Sequence, residues 1–463
     1  MDLVLAGGSV VTSLDHPTVV EGDVVVRGGR VVAVRGRGAT DGRGATEGRG
    51  ATDGRGATDG AEQIDCAGCV VVPGNVCAHH HLYSALARGM PYRLEPPEDF
   101  VQVLQRVWWR LDRALDAETV WASAASGAAE ALLAGTTTIV DHHSSPSAVE
   151  GSLDALAEAL AGLGARSILC YEVTDRDGAD RAAAGLEESQ RFLKEGQQPD
   201  LVRAMVGAHA SFTLSETTLA ACVSLAETFD AGIHIHVAED AADERDSVAR
   251  FGRRVVERLA DAGALTERSL LAHCVHLDGR EIELVLRGGA WVAHNPRSNM
   301  NNRVGRAPAV DLGARVTLGT DGIDGDMFAE SRAAYWRGRE HDPRITPEWV
   351  LARLAASARF AGERFGEPGL GRIEPGAPAD LVVLEYDPPT PLTAESLGGH
   401  WMFGLSARNV RDVVVNGSVV VRDRCLVRVD ERELRARSRE LAERLWARLD
   451  GLRPHPFEPA GGA

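Results

Sequence analysis

Lysine is almost missing from this chain. Of its 50 basic residues only Lys194 is a lysine, and 67 aspartates and glutamates leave a net charge of −17. Chemistry that needs a lysine must use that residue, which sits in the polar helical stretch Glu187 to Glu195 and reads as a solvated face. A basic face is missing too, which disfavours nucleic acid and anionic membrane surfaces and leaves a small-molecule substrate as the expected partner. No apolar run approaches the roughly 18 residues of a membrane helix. The opening Met1-Asp2-Leu3-Val4 has neither a basic region nor an apolar stretch of signal-peptide type, so the expected compartment is the cytoplasm. Seven scattered cysteines, an odd number, make no disulfide framework. Cys66 and Cys69 form one CxxC about Gly68, with no second pair to complete a metal ribbon. Aromatic residues are 5% of the chain, so its core must be built largely from Ala, Val and Leu.

The 463 residues allow one large domain and one smaller one. Residues 1–72 read as a β-meander of valine-rich strands with Gly turns. Within it, 36–60 is a repeated Gly-Arg-Gly-Ala-Thr-Asp/Glu tract, too poor in apolar residues to bury a core, and is expected to be a loop. From 73 to 364 apolar strand-like segments alternate with Ala/Leu/Glu helical stretches such as 116–134 and 215–229. The expected strands are 76–81, 136–142, 166–173, 202–209, 232–237, 269–274, 290–294 and 315–321. Eight strands alternating with helices point to an α/β fold, a closed (β/α)₈ (TIM) barrel with its chemistry at the C-terminal strand ends. Short strands return in 365–428 and are expected to pair with the N-terminal ones as a small β-sandwich, with the barrel inserted between its halves. Residues 429–463 read as a final helix and tail.

Histidines and acids gather at the expected strand ends. In His79-His80-His81, alternate residues share a strand face, so His79 and His81 can point into the barrel while His80 points away. Two imidazoles on one face suit a transition metal. His234-Ile235-His236 repeats the pattern, with Glu239 where the strand gives way to a loop and His234 lying deeper. His273 ends another apolar strand, whereas His276 falls in the loop beyond. Asp321 ends the last strand, between Gly319 and Gly322, and a carboxylate buried there needs a partner. Three histidines and an aspartate thus collect at the C-terminal ends of strands 1, 5 and 8.

These residues resemble the amidohydrolase superfamily, in the branch of chlorohydrolases and deaminases. The stretch Ala78 to Ser84 with Ala87-Arg88-Gly89-Met90 is most similar to SsnA-type aminohydrolases. The resemblance covers nearly the whole chain. It implies His79, His81, His236 and Asp321 as metal ligands, Glu239 as proton shuttle, His273 as the group orienting water or substrate, and His294 to Asn299 as a pocket-shaping segment. Binuclear relatives commonly bridge two metals with a carboxylated lysine on strand 4, and no lysine lies there. One divalent ion is therefore expected, zinc or alternatively iron(II). The implied reaction is hydrolysis of a non-peptide C–N bond in a purine- or pyrimidine-like ring by a metal-activated water. In it Asp321 is both ligand and proton acceptor, while Glu239 and His273 serve the ring and the oxyanion. Ring opening of a cyclic amide is the alternative, and a non-catalytic binding barrel a remote one. Expected substrate contacts are Tyr83, Arg93, His142, Phe212 and Arg297, the arginines being suited to a carboxylate or ring carbonyl. A homodimer or larger homo-oligomer is expected.

Overall fold

The computed structural model describes residues 2–36, 60–198 and 200–461. The repeat tract expected to be a loop lies almost wholly outside the described residues. Each of the eight expected segments forms a barrel strand: β1 (Asn75–His80), β2 (Thr136–His143), β3 (Arg166–Val173), β4 (Val206–Ala210), β5 (Ile233–Val237), β6 (Leu270–His273), β7 (Trp291–His294) and β8 (Val316–Leu318). Successive strands pair in parallel around the sheet. The fourth segment is broken at Met205, and its first part, Val202–Ala204, pairs with β3 as a separate short strand. All residues of β1 to β8 are buried, because side chains meet the barrel interior on one face and helices on the other. This two-sided burial is why the strands read as apolar runs rather than alternating ones.

Local chemistry sets the helix limits. Ala117–Leu133 begins at a reciprocal capping box between Asp116 and Thr119, and the chain leaves it through Gly135 at φ 80°. Glu216–Thr228 is capped by the Ser215 side chain, which accepts from the Thr218 amide. The last helix, Glu431–Asp450, lies against the early barrel region: Trp446 Nε1 donates to the Leu86 carbonyl at 2.8 Å and Arg448 pairs with Asp116 at 2.5 Å.

The two terminal segments share one continuous hydrogen-bonded sheet. Cys69–Pro73 pairs antiparallel with Leu381–Glu385, which joins the N-terminal strands to Val410–Val415, Ser418–Arg422 and Cys425–Leu426. Leu3, Leu5, Val24, Val26, Val71, Leu381, Val383 and Val414 bury their side chains in one apolar cluster. Cys66 and Cys69 are buried within it, and burial pushes the Cys66 thiol up to about 12, so this CxxC packs as neutral thiols. Lys194 is exposed, its ammonium 3.6 Å from Glu195.

Candidate metal centre and cavity

The ends of β1, β5, β6 and β8 bring the sequence-nominated groups together. His81 Nε2 lies 3.1 Å from His236 Nε2 and 3.0 Å from Asp321 Oδ1, and His79 Nε2 is 3.4 Å from the same oxygen. His79, His236, His273 and Asp321 can each offer a donor atom within 4.8 Å of the others. His80 points outward, as the strand period requires, and bonds Thr320 Oγ1 at 2.8 Å.

Each inward imidazole is fixed through its other nitrogen. His81 Nδ1 donates to the His142 carbonyl at 2.6 Å, and His236 Nδ1 donates to the His209 carbonyl at 2.8 Å. His79 Nδ1 pairs with His234 Nε2 at 2.8 Å, which gives the deeper histidine of the second pair its place. With the Nδ1 protons so engaged, the Nε2 lone pairs face one another, the arrangement that metal-binding histidines use. The Nε2 atoms of His79 and His273 are buried with no hydrogen-bond partner. Lone pairs and a carboxylate crowded at 3.0 to 3.4 Å are stable only with a cation or protons between them, and three imidazoles with one carboxylate fit a divalent metal. Burial alone would raise the Asp321 carboxyl, but the adjacent His79 and His81 imidazoles and the charges of His81 and His273 hold it well below the usual carboxylate range.

Beside this cluster lies Glu239, its Oε2 3.6 Å from His273 Nε2. Burial, with the nearby Asp321 charge adding to it and His273 opposing, raises Glu239 to about 7. A carboxyl poised there can give and take a proton near neutrality.

Sequence reasoning named His294 to Asn299 only as a pocket-shaping segment and gave Ser298, Asn299 and Asn302 no individual part in holding these groups. The short helix Pro296–Asn301 follows β7 with Pro at its first turn. Ser298 Oγ donates to Asp321 Oδ2, the Asn299 amide pairs with His273 Nδ1 at 2.8 Å, and Asn302 Nδ2 donates to Glu239 Oε1 at 3.2 Å. One turn of chain thus touches all three groups nominated for chemistry. The signal available was the polar run Ser298-Asn299-Met300-Asn301-Asn302 directly after a buried strand.

Above the centre opens a cavity with His81, His236, Glu239 and Asp321 at its floor. Tyr83 and Phe212 line it, together with Phe100, Leu104, Trp108 and Trp109. The other nominated contacts lie elsewhere. Arg93 is exposed and pairs with Asp450 at 3.3 Å. Arg297 turns away from the cavity to Glu330 and to Asp324 Oδ1 at 2.9 Å. His142 is fully buried beneath the floor. It donates from Nδ1 to Glu172 Oε2 and from Nε2 to the carbonyls of Ala208 and His234, each at 3.1 Å. Position after a strand end was not enough to aim these side chains, because carboxylates and carbonyls remote in sequence claimed them first.

Residues 70–420 match the Amidohydrolase family. The chain is 33% identical over 386 residues to a 5′-deoxyadenosine deaminase of Methanopyrus kandleri, covering 81% of this chain and 86% of that protein. It is 31% identical to a 5-methylthioadenosine/S-adenosylhomocysteine deaminase of Nitratidesulfovibrio vulgaris, covering 97% of this chain and 98% of that one. Among solved structures, an adenosine deaminase from Xanthomonas campestris with bound zinc superposes with a TM-score of 0.80 at 25% identity, covering 96% and 99% of the two chains.

Proposed function

The chain belongs to the amidohydrolase family, and from that premise we propose that it is a deaminase of an adenine nucleoside or a similar amino-substituted ring, using one zinc ion. The observation that carries this reading is the convergence of His79, His81, His236 and Asp321 on one point of the cavity floor, with Glu239 and His273 alongside. The names of its relatives support the nucleoside, and the zinc in the Xanthomonas adenosine deaminase supports the metal. A second set, His81, His142, Glu172 and His236, also has metal-ligand spacing. There the Glu172 oxygens accept from Arg176 at 2.8 Å and from His142 at 3.1 Å, and both His142 nitrogens are taken, which favours one ion over two.

When bound, the divalent metal supplies Lewis acidity, bringing the pKa of a water from about 15.7 to about 7. Asp321 accepts the proton of the attacking water, while the Ser298 hydroxyl fixes its other oxygen. Glu239 protonates the ring nitrogen next to the carbon under attack and regains a proton from the added hydroxyl, while the proton held by Asp321 passes to the departing amine, which leaves as ammonia. His273, oriented through Asn299, hydrogen-bonds the developing oxyanion. Tyr83, Trp108, Trp109 and Phe212 offer faces against which a flat ring can pack. The test is ammonia release from adenosine, 5′-deoxyadenosine, 5′-methylthioadenosine and a panel of aminated purines and pyrimidines by zinc-loaded protein. Turnover of at least one member is expected. No ammonia from any of them at full zinc occupancy would overturn the reading.

A further inference from the structure

Residues Leu452 to Ala460 leave the last helix and run across segments that follow four different barrel strands. Arg110 Nε donates to the Leu452 carbonyl at 3.0 Å, and the His455 amide donates to the Gln105 carbonyl at 2.9 Å, on the segment after β1. The His455 ring is buried and its Nε2 lies 3.2 Å from Asp177 Oδ1, beyond β3. Phe457 packs against Phe212, beyond β4, with ring centres 6.2 Å apart. The Ala460 amide donates to Asp246 Oδ1 at 2.6 Å, beyond β5. Gln105 Nε2 closes the arrangement, donating to the Phe457 carbonyl and to Glu458, both at 2.8 Å.

Two rings of this segment, His455 and Phe457, converge on Trp109. His455 and Phe457 place their ring centres 5.3 and 5.7 Å from its indole, on the segment that also brings Phe100 and Leu104 to the cavity. Trp109 and Phe212 both line the cavity and both touch Phe457. We propose that residues 452–460 are a built part of the substrate site: a strap in which His455 and Phe457 are positioning residues for the Trp109–Phe212 wall, setting how tightly the apolar part of the substrate is held. This rests on the cavity being the substrate pocket, as proposed above. An aromatic buttress of this kind fixes rotamers on the wall before substrate arrives, so its loss weakens binding more than it slows the chemical step.

The test uses the full-length zinc-loaded protein and Phe457→Ala, with Phe457→Tyr as the conservative variant. Hydrogen exchange should show lost protection in 104–113 and 209–214 of the alanine variant, with β1 to β8 and zinc content unchanged. KM for 5′-methylthioadenosine should rise about tenfold with kcat within about threefold, and the tyrosine variant should restore both. Should the alanine variant fail to fold, Gln105→Met removes the bonds to Phe457 and Glu458 while leaving the aromatic ring, and should shift exchange and KM in the same direction. Unchanged protection in both segments, or a loss in kcat alone, would overturn the proposal. If no nucleoside is turned over, the deaminase reading fails and the exchange result alone decides the strap.

Discussion

The carbonyl oxygen of His79 accepts two backbone hydrogen bonds from the chain just beyond β8, from the amides of Thr320 at 2.9 Å and Asp321 at 3.0 Å. With the parallel bridge between His80 and Asp321, this is where the first and last strands meet. Barrel closure and assembly of the metal centre are therefore one event: the seam that joins β8 to β1 places the Asp321 carboxylate against His79 and His81. Asp321 takes φ 54° to do so, and His273 takes φ 72° at the end of β6. Left-handed backbone at residues other than glycine marks both places where the strand end bends its side chain toward the centre.

That geometry allows a clean test of Asp321. Asparagine is among the few residues that tolerate left-handed backbone and has nearly the same shape, so Asp321→Asn should keep the fold and the seam. It cannot accept the water's proton. Ammonia release should fall by roughly 10³-fold or more, with the melting temperature little changed. Near-normal turnover at full metal occupancy would remove Asp321 from its assigned role.

Asn299 makes a milder and more diagnostic change. It hydrogen-bonds His273 Nδ1, and His273 is not among the proposed ligands His79, His81, His236 and Asp321. Asn299→Ala should leave zinc content intact and lower kcat by about 10- to 100-fold, the usual cost of removing such a supporting contact. Elemental analysis beside the kinetics separates this from metal loss. His79→Ala should give the opposite pattern, with metal content itself falling.

Metal removal should be visible in stability as well as activity. An ion that binds only the folded chain at about 100 times its Kd adds roughly 2.7 kcal/mol. Chelation should therefore lower the melting temperature, and zinc should restore it. The same treatment of His79→Ala should shift the melt much less, since the ion it removes is already poorly held.

What could be read from the sequence follows from how local each signal is. Barrel strands are buried on both faces, so eight apolar runs announced themselves, and the period of two placed His79 and His81 on one face with His80 on the other. Asp321 was legible because a carboxylate ending a buried strand must have a partner. Ser298, Asn299 and Asn302 were not, because their aim depends on where a six-residue helix sits relative to β5, β6 and β8. The directions taken by Arg93 and Arg297 were not legible for the same reason: their partners Asp450, Glu330 and Asp324 are near only after folding. Phe457 carries no local mark at all, since each group it touches belongs to a distant part of the chain.

Beside the cavity, Arg176 on the loop after β3 is almost wholly buried and holds Asp112 at 2.5 Å and Glu172 at 2.8 Å. Glu172 in turn binds His142, whose carbonyl orients His81. Burial alone would raise Glu172, yet the charges of His209 and Arg176 and the hydrogen bond from His142 hold it well below the usual range. Asp112, with burial dominant over Arg176, is raised to about 6. Removing the shared cation takes the guanidinium from two buried carboxylates and leaves Asp112 with Ser144 and Glu172 with His142 as hydrogen-bond partners. Arg176→Met should therefore cost about 3–5 kcal/mol in denaturant unfolding. Pairing it with Asp112→Asn and Glu172→Gln removes the stranded charges and should recover a large part of that loss. Because Glu172 fixes His142, the single variant should also loosen His81 and lower zinc affinity. A single variant as stable as the parent would show that this buried chain of charges does not support the floor of the site.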